Sequence, residues 1–193
     1  FPTLAKLIPP SHTMSGKILC LEGEKSNSPH GKHSVQTMLE FLQQTRGIDY
    51  EHHRVATRAE LDHRLAEFGR LKSYTLLYLA FPGAPGRFSI SAREEVTLEE
   101  LAEIAKGHWD KRILHLGCSK TLKVTPKQLE TLRRSTGVSL LSGYAGTTDY
   151  FPMSILELSY FGLLDTYRTP AAIAKHLGEQ QRYWIKTLGF KLI

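Results

Sequence analysis

"SYTLLYLAFPGAPG" (73–86) decides the reading of this chain. Its first nine residues are almost continuously apolar, as in a strand covered on both faces of a parallel sheet. The strand then runs into a turn of Phe81, Pro82, Gly83, Ala84, Pro85 and Gly86. Gly-rich backbone after a buried strand is where α/β proteins build sites. Yet none of these side chains can take a proton, attack a carbon or bind a metal. The prolines also remove N–H groups that a dinucleotide pyrophosphate would need.

Working outward, short apolar runs alternate with helical patterns. "KILCLE" (17–22), "RILHLGC" (112–118) and "VSLLSGY" (138–144) have strand length, and "YEHHRV" (50–55) fits an edge strand whose His pair faces solvent. "SVQTMLEFLQQTRG" (34–47) spaces Val35, Met38, Leu39 and Leu42 helically, with Ser34 as N-cap and Gly47 as stop. Thr57 with Glu60, and Thr97 with Glu100, have capping-box spacing ahead of two more helices. "TPKQLETLRRSTG" (125–137) carries Pro at the first helical position and Gly at the end. Helical segments at 151–167 and 169–189 precede a final "FKLI". This order predicts an α/β protein, a three-layer α/β/α sandwich with a mostly parallel central sheet. The expected organisation is an N-terminal tail over 1–13, with Met14 as a possible natural start, followed by one domain over 14–193.

The 193 residues suffice for one full core. No apolar run approaches the ~20 residues of a membrane span. Two cysteines, Cys20 and Cys118, make no disulfide framework, so reduced thiols and a cytoplasmic location are expected. Net charge is +6, and the window Lys106–Arg134 holds eight basic residues against Asp110 and Glu130. Such a field suits an acidic ligand or nucleic acid. No zinc-finger spacing, aromatic ribonucleoprotein motif or recognition helix accompanies it, so a solvated face is the expectation and nucleic acid is not. Neither a cofactor nor a metal is expected: His30 and His33 have no carboxylate or Cys partner near in sequence.

In a parallel sheet the carboxyl ends of the strands converge on one edge. Here that edge gathers 22–33, 81–86, 117–121 and 142–149. Cys118 is its strongest chemical candidate, because Lys120 and Lys123 follow and nearby cations favour the thiolate. His115 stands three residues earlier, and strand alternation puts it on the opposite face. His30 and His33, in the loop after the first strand, are the possible bases. Glu22, Glu24 and Asp149 are candidates for a basic group of a ligand. Gly83, Tyr144 and Lys120 complete the binding set, and Gly143 and Gly146 in the turn after the fourth strand let backbone approach a ligand closely.

Five blocks in order, "KILCLEGE", "LLYLAFPGAPG", "VTLEELAE", "ILHLGCSKTL" and "LLSGYAGTTDYFPMSILEL", resemble the caspase-like (clan CD) cysteine peptidases. They are similar to the CHAT branch of bacteria, and look like the blocks of a small uncharacterised bacterial family of that fold. The resemblance spans about Lys17 to Tyr167. It implies a caspase-like fold, a His–Cys dyad and, by inheritance, bacterial stress or defence roles. In the family pattern the first turn reads like "FHGSPG" and the second like "HFGSCST". This chain has Pro82 at the His position and Ser119 at the Cys position, with Cys118 one residue early.

Three functions are therefore weighed. The first is a catalytically impaired caspase-like domain that binds a peptide or protein partner in the former active-site cleft. The second is a cysteine endopeptidase, a hydrolase, that uses Cys118. The third is a binder of nucleic acid or an acidic ligand through the basic window.

Overall fold

The computed structural model describes residues 16–23 and 34–193. Its central sheet has six strands: β1 (Lys17–Gly23), β2 (Tyr50–Val55), β3 (Tyr74–Ala80), β7 (Ile113–Leu116), β8 (Leu140–Tyr144) and β9 (Phe190–Leu192). They lie in the order β2-β1-β3-β7-β8-β9. All neighbours pair in parallel except β8 with β9. The predicted mostly parallel sheet is present, and a last strand within the closing "FKLI", unassigned in the sequence reading, closes one edge in the antiparallel sense.

Helices cover both faces. Against one pack α2 (Arg58–Arg70), α3 (Leu98–Ala105) and α4 (Pro126–Thr136), through Leu61, Leu65, Phe68, Leu101, Leu129 and Leu132. Against the other pack α1 (Gln36–Arg46), α5 (Tyr150–Thr166) and α6 (Pro170–Leu188), through Leu39, Leu42, Leu156, Phe161, Ile173 and Leu177. Both expected capping boxes form, at Thr57–Glu60 and Thr97–Glu100, and Thr125 makes a third with Gln128. Each satisfies two N–H groups that a helix start otherwise leaves unpaired.

Two expectations are corrected. The N-cap of α1 is Val35, not Ser34. The nearby Glu22 carboxylate draws the Ser34 hydroxyl to itself at 2.5 Å and also accepts the Val35 N–H at 3.2 Å. Second, the His pair is not all surface: the His52 side chain is 8% exposed, and its Nε2–H donates to Glu22 at 2.8 Å. Burial there is possible because Glu22 gives the ring a partner. The residues at and after the opening turn, which the sequence reading leaves unassigned beyond Gly86, pair with one another. β4 (Gly83–Ala84), β5 (Arg87–Ser89) and β6 (Glu95–Thr97) form a small antiparallel sheet. Strands of two or three residues are too short to leave a periodicity.

Candidate functional site at the carboxyl edge of the sheet

Parallel register brings the ends of β1, β3, β7 and β8 to one edge, with Glu22 beside Ala80, Leu79 beside Leu116, and Leu116 beside Gly143. The turn after β3 folds down onto the turn after β7. A Cβ on Gly83 would overlap the Ser119 carbonyl oxygen and lie 2.5 Å from Thr121 Oγ1 and 2.9 Å from Cys118 Cβ. No side chain fits there, so glycine is required by close approach. Backbone hydrogen bonds stitch the same region: Gly86 N–H to Thr121 O at 3.2 Å, Lys120 N–H to Gly146 O at 2.9 Å, and Leu122 N–H to Tyr144 O at 2.9 Å.

The candidate residues divide sharply. Cys118 is fully buried among the residues packed on the α2–α4 face, and its S–H donates to Leu79 O at 3.2 Å. Ser119 is half-buried, and its hydroxyl oxygen accepts the Thr148 N–H at 3.2 Å. Pro82 is exposed, next to Gly83. Lys120 is half-buried in a left-handed backbone conformation, φ 61°. Asp149 is exposed at the start of α5, followed by Phe151, which is 70% exposed. Glu22 is buried beneath α1. Burial alone would raise its carboxyl, but the hydrogen bonds from His52, Ser34 and the Val35 N–H hold it below the usual range. Glu24, His30 and His33 lie outside the described residues.

Tyr144 turns inward. It is fully buried, and its hydroxyl donates to Glu157 at 3.2 Å. Glu157 also accepts from Tyr78 Oη at 2.6 Å and from His115 Nε2–H at 2.9 Å, while Ser142 Oγ lies 2.8 Å from His115 Nδ1. Burial first, and the Glu157 charge second, push the Tyr78 and Tyr144 phenols up, so both stay protonated as donors. Ser142, His115 and Glu157 thus follow the order hydroxyl, imidazole, carboxyl of a hydrolytic triad. All three are 0% exposed, and aromatic rings of Tyr78, Tyr160 and Phe161 enclose the imidazole at 5.2–5.5 Å. No substrate carbonyl reaches Ser142 there. The network is a satisfied polar core, and it takes His115 to the sheet face opposite Cys118, as strand alternation requires. Sequence reasoning missed Glu157 altogether; an acidic residue inside the apolar run "SILELSYFG" was the available signal.

His52 stands no closer to the nucleophile positions. It sits on β2, three strands from β7, or roughly 14 Å at ~4.8 Å per strand. Among the described residues no group of three or more His, Cys, Asp or Glu could hold a metal ion. No helix of the described chain is long and apolar enough to cross a membrane. The basic window is partly consumed internally. Lys106 pairs with Glu103, Arg133 and Arg134 with Glu130, and buried Arg112 stacks 4.6 Å over Phe68.

A family model described as "Family of unknown function (DUF6642)" matches residues 15–193. None of the curated proteins matches the chain. Among solved structures, caspase-1 from Spodoptera frugiperda superposes with a TM-score of 0.54 at 9% identity, covering 88% of this chain and 77% of that one. The structure of pro-sf-caspase-1 gives 0.56 at 10% identity, over 91% of this chain and 84% of that one. At such identities the likeness is one of fold: an α/β architecture with a largely parallel central sheet flanked by helices, as in caspase-like proteins.

Proposed function

The chain belongs to the DUF6642 family, and from that premise and its caspase-like architecture we propose that it is a catalytically lapsed peptidase-type domain that holds a peptide or protein partner at the carboxyl edge of its sheet. The observation that carries this reading is the seating of the Pro82–Gly83 turn on Cys118, Ser119 and Thr121. The positions where the resemblance implies a His–Cys dyad are adjacent, but they hold a proline and a serine. Losing a general base costs a factor of about 10² to 10⁴. The thiol one residue away is buried with its S–H on a backbone carbonyl, which favours the inert thiol over the thiolate.

The edge still offers features that suit a partner. Pro82 and Pro85 are exposed and rigid, Asp149 supplies a negative charge, and Phe151 presents an aromatic ring to solvent. Exposed aromatics flanked by polar residues are frequent anchors of protein recognition. The region of Pro82, Gly83, Ser119, Lys120 and Asp149 is the surface assigned to this role.

The test is a mixed peptide library incubated with the full chain, read by mass spectrometry for cleavage and by retention for binding. Wild type, Cys118→Ala, Ser119→Ala and Phe151→Ala are compared. The expected result is retention without cleavage, weakened by Phe151→Ala. Cleavage that Cys118→Ala abolishes would replace this reading with that of an active cysteine endopeptidase.

A further inference from the structure

At the opposite edge of the sheet, away from the turns described above, the strands begin around a cavity of about 250 Å³. Its floor is apolar, with Ile113 at the start of β7, Leu164 near the end of α5 and Ile173 in the first turns of α6. Its lining also includes two cations, Lys111 and Arg168, both exposed. Among the described residues, neither lies within ion-pair distance of a carboxylate. Among the described residues, no acidic one lines the cavity. Asp165, the nearest acid in sequence, is buried and turned to Arg46 at 3.3 Å.

Two cations with no carboxylate partner among the described residues, and an apolar floor, line one small volume.

We infer that this cavity binds a small organic carboxylate with a compact apolar body, such as an aryl or branched-chain acid. The floor takes the apolar part. The Arg168 guanidinium offers a planar fork that matches a carboxylate, and Lys111 adds a point charge. The volume lies below the ~300–1,000 Å³ of sites for drug-sized ligands, so the acid is small. This inference does not depend on the function proposed for the other edge.

The experiment is a titration of the ¹⁵N-labelled full chain with phenylacetate, with 2-phenylacetamide as its neutral isostere and inorganic phosphate as an anion without an apolar body. Saturable shifts are expected at the amides of Thr75, Ser139, Leu164 and Tyr167, with Gly83 and Ser119 unmoved. The double variant Lys111→Asn/Arg168→Gln should weaken binding about tenfold, equal to ~1.4 kcal/mol. Both positions are exposed, and Asn tolerates the left-handed backbone at Lys111, φ 62°. Equal binding of acid and amide, an unaffected double variant, saturation by phosphate alone, or no saturable response would each overturn the assignment.

Discussion

Gly83 and Ser119 are in backbone contact: a methyl group on Gly83 would overlap the Ser119 carbonyl oxygen. The turn after β3 and the turn after β7 therefore form one packed unit. Gly83→Ala should destabilise the protein by about 1–3 kcal/mol, the usual cost of overpacking. Urea denaturation measures it. An unchanged midpoint would mean that the two turns separate freely.

Cys118 and Cys20 should behave alike toward iodoacetamide. Both are 0% exposed. Burial first, and the neighbouring Glu22 and Glu157 charges next, raise the Cys20 thiol well above its ordinary value. The Cys118 S–H is bound to Leu79 O. Native labelling should be slow at both sites and fast once the chain is unfolded, as mass spectrometry resolves. Rapid native labelling of Cys118 alone would reveal an activated thiolate and favour the peptidase reading.

Glu22→Gln should destabilise the fold by ~1–3 kcal/mol at neutral pH, since it weakens charge-assisted hydrogen bonds from His52, Ser34 and Val35. The Glu22 carboxyl titrates lower in the folded chain than in the unfolded one. Its contribution is therefore full above the unfolded carboxylate range of about 4.3 and is lost as pH falls through the folded value. Wild type and variant should converge in acid. A constant difference across pH 3–7 contradicts this account.

Glu157→Ala should cost about 3–5 kcal/mol, because it strands a buried imidazole and two buried phenols. Tyr144→Phe, which removes one donor of three, should cost ~1 kcal/mol. If the two variants proved equally mild by denaturant titration, the network would not be the core element described here.

Periodicity along the chain carries much of this fold. Continuous apolar runs, Thr–Glu capping boxes and the alternation of strand with helix place the buried faces and the parallel sheet, because burial and helix capping act over a few neighbouring residues. The opposite facing of His115 and Cys118 follows from alternation as well. Other features depend on partners distant in sequence, and the tertiary structure alone decides them. Glu157 meets Tyr78 from 79 residues away, Gly83 meets Ser119 across two strand ends, and His52 is buried because Glu22 reaches it from the adjacent strand. The turn "FPGAPG" is site-shaped in sequence because glycine frees the backbone to bend sharply and proline fixes φ at a turn value. It packs onto the β7 turn because a glycine without a Cβ lets two backbones touch, a contact that no local pattern encodes.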